Sequence, residues 1–232
     1  MDVKLDSLLA GAERATGTAI VIDVFRAFTT AAVAFARGAD KIIMIANVEE
    51  ALRLRRDNVG QICMGEVDGR APAGFDLGNS PYEATQLDVA GKTIIQRTSA
   101  GTQGIVAASH ATRLYAGSLV TASATARAIQ QRAPEHVCVI AMGDHGLVRT
   151  DEDELCALHL RNLLQGRRGN PQAVRDVILS GARAVDFEDP DKPHLHQKDL
   201  EIALDVDRYD FAVHVSLEDG RPTARAERAT GS

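Results

Sequence analysis

Apolar residues along this chain alternate between two patterns. Short unbroken runs rich in β-branched residues are "TAIVID" (18–23), "KIIMIA" (41–46), "QICMGE" (61–66), "KTIIQRT" (92–98), "RLYAGS" (113–118), "HVCVIAMG" (136–143) and "FAVHVSL" (211–217). Their length and composition predict buried strands. Between them lie segments whose apolar residues recur at helical spacing: "FTTAAVAFARG", "VEEALRLRRD", "TASATARAIQQRA", "DEDELCALHLRNLLQG" and "PQAVRDVILSG". Gly38 supplies a stop for the first of these. Asn47 with Glu50 supplies a capping-box start for the second.

Strands alternating with helices predict an α/β fold in which a mainly parallel sheet is covered by helices on both faces, a three-layer α/β/α arrangement. We read 1–232 as a single domain, with a division into two subdomains left open. Sheets of this kind bind ligands beyond the carboxyl ends of their strands. The residues there are small or polar: Asp23 and Arg26, Gly65 and Glu66, Thr98 and Ser99, Gly117 and Ser118, Gly143 and Asp144. The stretch "DFEDPDKPHLHQKD" (186–199) reads as an irregular connection.

Composition narrows the classes of function. With 232 residues and 45% hydrophobic content, the chain can bury a substantial core. Its net charge of -6 argues against broad nucleic-acid binding, so an anionic small substrate needs its positive charge supplied locally. No apolar run reaches membrane-spanning length, and the first residues lack a secretory-signal pattern, which together place the protein in the cytoplasm. Cys63, Cys138 and Cys156 sit singly in apolar segments and read as buried thiols; no CxxC pair points to zinc or redox work.

Several standard phosphate chemistries are excluded by spacing. GxxxxGK[ST] and GxGxxG are both missing. Phe25 fills the place where a haloacid-dehalogenase phosphatase needs a second aspartate after Asp23. A cysteine phosphatase on Cys63 would need an arginine where Gly69 stands, and "GNSPY" lacks the last glycine of a nucleophile elbow. Oxygen-rich loops remain. Asp23, Glu66 and Asp76 are hard anionic ligands suited to magnesium. "RTSAGT" (97–102) offers hydroxyls and closely spaced backbone N–H groups as an anion cradle. Arg26 and Arg97 suit forked pairing with a phosphate or sulfonate. Each has a plainer reading. Asp23 can cap the following helix, and Ser80, Pro81 and Glu83 make a helix start. Glu152 and Asp153 can complement a helix dipole, "HLH" (194–196) can be a solvated loop, and His145 can be a proton carrier or surface residue.

The motifs "VIDVFRAFTT", "GE" (65–66), "GFDLGNSP", "RTSAGT", "GSL" (117–119) and "EDELCA" (152–157), with "KDLEIALDVDRYDFAV" near the end, resemble in order the 2-phosphosulfolactate phosphatase (ComB) family. The resemblance implies a magnesium-dependent α/β phosphatase that hydrolyses 2-phospho-3-sulfolactate to sulfolactate and phosphate, a step of coenzyme M biosynthesis in methanogens. On these motifs Asp23, Arg26 and Glu66 are the expected catalytic residues, and Asp23 is either nucleophile or metal ligand. Asp23, Glu66 and Asp76 are the expected Mg2+ ligands. Thr29, Thr30, Asn79, Arg97, Thr98, Ser99, Gly101, Thr102 and Ser118 are the expected substrate contacts. The implied partner is a small anionic phosphoester, with no nucleic acid and no membrane; a homodimer is left open. The chain departs from the family pattern at Ala100, at Val120 and Thr121, and at "DHGLVRT" after Gly143. The competing reading is a non-catalytic binding protein for a small phosphorylated or sulfonated anion on the same scaffold.

Overall fold

The computed structural model describes residues 1–228. Nine strands form one sheet: β1 (Asp2–Ser7), β2 (Gly17–Ile22), β3 (Lys41–Ile45), β4 (Ile62–Gly65), β5 (Thr93–Arg97), β6 (Ala111–Gly117), β7 (His136–Ala141), β8 (Ala212–Glu218) and β9 (Arg221–Glu227). Their spatial order is β1-β7-β2-β6-β8-β9-β3-β5-β4. The first four strands in that order are parallel to one another, as are the last three. The hairpin of β8 and β9 joins the two blocks through antiparallel pairings with β6 and β3. The sheet is thus mainly parallel, as expected, but its two parallel blocks run in opposite directions.

The helices are α1 (Leu8–Glu13), α2 (Ala27–Ala36), α3 (Val48–Arg56), α4 (Pro81–Gln86), α5 (Gly101–Ala107), α6 (Ala122–Gln130), α7 (Asp151–Leu164), α8 (Pro171–Leu179), α9 (Ala182–Val185) and α10 (Gln197–Ala203). Helix α2 shows how the two blocks are held together. Every residue from Ala27 to Phe35 is buried, the signature of a helix inside a core rather than on it. Around it, in one apolar cluster, gather Val21, Ala116 and Ile140 from one block and Ile42, Met64 and Ile94 from the other. Helix α5 touches β2 and β6 as well as β3. The sheet therefore curls around α2 and α5. A second cluster packs the outer face of β2, β6 and β7 beneath α6, α7 and α10, and a third packs α3 on the outer face of β3, β4 and β5. Helices thus cover both faces.

This curl positions the site. With opposed blocks, a flat sheet would put the carboxyl ends of β2 and β5 on opposite edges. Wrapped around α2, they meet. Within the second block, Gly65 at the end of β4 lies close against β5: its φ is +135°, and a Cβ on it would lie 1.8 Å from the carbonyl oxygen of Arg97. Only glycine fits that backbone crossing.

The segment 186–199 differs from its expectation as an irregular connection. It opens with a 3-10 turn at Asp186–Glu188 and closes inside α10. Strands β1 and β9 and the short helices α1 and α9 were not anticipated from the apolar pattern.

Candidate active site

Carboxyl ends from both blocks border one cleft of about 260 Å3. The loop after β2 contributes Asp23, Phe25 and Arg26, the loop after β4 contributes Glu66 and Asp68, and the loop after β5 contributes Ser99 and Ala100. Gly143, Asp144 and His145 follow β7, while Arg183, Lys192 and His194 come from the segment around α9.

The loop at 98–102 sets the two acids side by side. Ser99 donates its backbone N–H to Glu66 Oε1, and its hydroxyl lies 3.0 Å from Oε2. Gly69 N–H reaches the same Oε2 at 2.8 Å. The Gly101 backbone N–H stabilises the Asp23 carboxylate, whose Oδ1 also accepts from Ala27 N at 2.9 Å. A Cβ at Gly101 would sit 2.8 Å from Asp23 Oδ2, so this position requires glycine as well. In the loop read as an anion cradle, the Ser99 and Gly101 N–H groups thus hold the protein's own carboxylates.

Burial is the main force on Asp23. Removal from water, with Glu66 and Glu152 adding negative charge, pushes its carboxyl up to about 7. Burial likewise raises Asp153, whose two oxygens accept from Val24 N and Gly143 N at 2.8 Å each. Asp153 thus ties the loops after β2 and β7 together. Glu152 and Asp153 stand in the first turn of α7, where a helix dipole favours acids, and both are buried.

Arg26 is only 4% exposed, yet it reaches the cleft. Its NH1 binds the fully buried Asp199 at 2.7 Å and the His194 carbonyl at 2.8 Å. Asn79 lines the cleft with a buried Oδ1 that has no protein partner. Asp23, Arg26, Glu66, Asn79 and Ser99 therefore converge, and Gly101 stands behind Asp23.

Other expected residues lie elsewhere. Asp76 does not join the acids: its Oδ2 is held by Arg55 at 2.5 Å and by Cys63 N at 2.9 Å, which pins its loop beside the start of β4. Arg97 turns its guanidinium to the Ala46 and Glu66 carbonyls and braces the strand ends. Thr29 and Thr30 are wholly buried and bond backbone carbonyls. Thr98 and Thr102 bond one another's N–H groups, and Ser118 is buried away from the cleft lining. Asp68, Arg183, Asp186 and Lys192 line the cleft without having been singled out, since isolated charges in polar loops carry no periodic signal.

The donor set can be tested against magnesium. Among the described residues, no group of three or more His, Cys, Asp and Glu side chains is placed to hold a metal ion. Within "HLH", His196 sits 3.3 Å from Glu83. Of the carboxylates that line the cleft, Asp23 and Glu66 are buried, and Asp23 lies among acids that raise its carboxyl. Magnesium binds through one or two carboxylates while keeping waters and substrate oxygens. Asp23 and Glu66 fit that mode; a protein-only cage does not.

Residues 6–199 match the family model for 2-phosphosulpholactate phosphatase. The chain belongs to that family. A relative from Thermotoga petrophila is 33% identical over 169 residues, 73% of this chain and 68% of its own. One from Bacillus subtilis is 27% identical over 205 residues, 88% of this chain and 89% of its own. One from Carboxydothermus hydrogenoformans is 45% identical over 107 residues, 46% of this chain and 44% of its own. All three carry the name "Probable 2-phosphosulfolactate phosphatase". Membership in the 2-phosphosulpholactate phosphatase family makes this protein a phosphoric monoester hydrolase. No helix among the described residues is long and apolar enough to cross a membrane.

Proposed function

We propose that the cleft hydrolyses 2-phospho-3-sulfolactate, or a closely similar small polyanionic phosphoester, to the hydroxy acid and phosphate with magnesium bound. The observation that carries this reading is the pair Asp23 and Glu66, oriented by the Ser99 and Gly101 N–H groups beside the buried arginine Arg26. Magnesium held by Asp23 and Glu66 would neutralise phosphoryl oxygens and activate the attacking group. The protein's own parts have separate tasks. Ser99, Gly69 and Gly101 fix the two carboxylates. Arg26 presents charge to the substrate from a rigid mount on Asp199. The unpartnered Asn79 Oδ1 is available to accept from a water or a substrate hydroxyl.

Phosphoryl transfer depends mainly on positioning and charge, so this arrangement suits it. The test compares kcat/KM for 2-phospho-3-sulfolactate and p-nitrophenyl phosphate, with magnesium and with EDTA. The reading expects magnesium-dependent turnover and a clear preference for the polyanion. Equal efficiency on both substrates would refute the polyanionic specificity.

A further inference from the structure

Six charged residues at the cleft mouth form one chain of contacts. Asp68 lies 2.9 Å from His145 Nε2, and His145 Nδ1 lies 3.0 Å from Asp144. Asp144 is 3.7 Å from Arg183, Arg183 is 3.9 Å from Asp186, and Asp186 is 2.5 Å from Lys192. Acidic and basic groups alternate along the chain, and all six line the cleft. The chain starts on the turn after β4, crosses to the turn after β7 in the other sheet block, and passes to the segment around α9. It also returns to its start. Two residues beyond Lys192, His194 lies against Gly69, its Nε2 3.0 Å from where a Cβ on that glycine would stand. The contacts thus make a collar.

Burial separates this collar from the centre behind it. Asp23, Arg26, Glu66 and Asn79 are buried, whereas none of the six collar residues is. The turns on either side of the Asp68 to His145 contact are each closed by their own backbone. Val67 and Arg70 exchange both hydrogen bonds, at 2.9 and 3.0 Å, and Asp144 and Val148 exchange theirs at 2.7 and 3.1 Å. Neither turn has to refold for the mouth to open; only the contact between their tips has to part. Exposed ion pairs are weak enough to part and re-form.

We propose that this collar is the gate of the cleft, parting at Asp68 and His145 to admit a substrate, and that it limits by size which phosphoesters reach Asp23 and Glu66. The gate follows from the geometry alone; the size selection rests on the phosphatase reading above. Closure behind a small substrate keeps bulk water from the buried acids. A bulky ester holds the collar open and loses that closure.

Access is read by labelling with a water-soluble carbodiimide and glycine ethyl ester at pH 6, where the His145 imidazolium can donate to both carboxylates. Peptide mapping then identifies the modified acids. His145→Asn suits the left-handed backbone at this position, where φ is +54°, but is too short to span the mouth. Glu66 is expected to label about fivefold faster in this variant than in wild type, the scale on which one exposed ion pair biases an opening equilibrium. Arg183→Met cuts the collar on its other side and should act in the same direction. Asp88, exposed and outside the cleft lining, should label at one rate in all three proteins. Unchanged Glu66 labelling in both variants would overturn the gate. An equal rise at Asp88 would also overturn it, by assigning the effect to general loosening. Size selection is read from kcat/KM for 1-naphthyl phosphate relative to p-nitrophenyl phosphate, two uncharged tails of different bulk. That ratio is expected to rise about threefold in His145→Asn, because the larger ester depends more on the open form. A ratio that stays fixed would overturn the size selection. Faster Glu66 labelling in a protein that hydrolyses no phosphoester would uphold the gate and overturn the phosphatase reading, with the size selection built on it.

Discussion

Asp199 grips Arg26 with one carboxylate oxygen and the start of α4 with the other, where Ser80 Oγ lies at 2.6 Å and Tyr82 N at 2.9 Å. Both partners of the ion pair are buried, so removing one charge strands the other. Asp199→Asn keeps an acceptor for Ser80 and Tyr82 but loses the counter-charge. It should lower stability by about 3–5 kcal/mol in urea unfolding. Adding Arg26→Met should restore at least half of that loss, because no buried charge remains. If the double variant is no more stable than Asp199→Asn, the pairing argument fails. Legibility at this scale followed position. Asp23 and Glu66 were readable because each ends an apolar run. Asp76 carried the same outward sign, an acid in a glycine-rich loop, yet Arg55 claims it. Nothing in the sequence tells an acid paired with a distant arginine from one facing a cleft, and Arg97 misled for the same reason.

Helix α2 is the element on which the architecture turns. Phe28 is 1% exposed and packs within the cluster that both sheet blocks share. Phe28→Ala should cost about 3–5 kcal/mol, through lost burial and an unfilled cavity. A drop under about 1 kcal/mol in denaturant midpoint analysis would show that α2 is not central. The long apolar runs made β2, β3 and β7 plain in the sequence. Strands β1 and β9 were hidden by different means. β1 ("DVKLDS") places charged residues between Val3 and Leu5, and β9 ("RPTARAE") carries Pro222 and few apolar residues. β9 is fixed by pairing with β8 and β3 rather than by its own propensity. The cap of α3, by contrast, was fully local: Asn47 accepts from Glu50 N as its spacing implied.

Across the whole molecule, the class of fold was legible but the reversal of its two blocks was not, because direction is set by the late β8–β9 hairpin and no local pattern encodes it. The convergence of strand ends was expected from a one-way parallel sheet; it arises instead from curling about α2. At the cleft mouth the two blocks meet again through His145. Its Nε2 lies 2.9 Å from Asp68, after β4, and its Nδ1 3.0 Å from Asp144, after β7. Both nitrogens can donate only in the imidazolium form. Asp68, aided by Asp144, raises the imidazole above its ordinary 6.5. The bridge therefore contributes fully below about pH 6.5 and is lost as pH rises through the elevated folded value. An NMR titration of His145 should show a midpoint above 6.5; a midpoint at or below that value would exclude the bridge. The central claim is that acids from opposed blocks, Asp23 and Glu66, make one magnesium-dependent phosphatase centre. The most direct measurement is inorganic phosphate release from 2-phospho-3-sulfolactate by wild type and Asp23→Asn, each titrated with magnesium after EDTA treatment, with far-UV circular dichroism confirming an intact fold. The account expects turnover that appears only with magnesium and falls at least about a thousandfold in the variant, the scale of losing a principal catalytic group. Turnover without metal, or an Asp23→Asn rate equal to wild type, would contradict it.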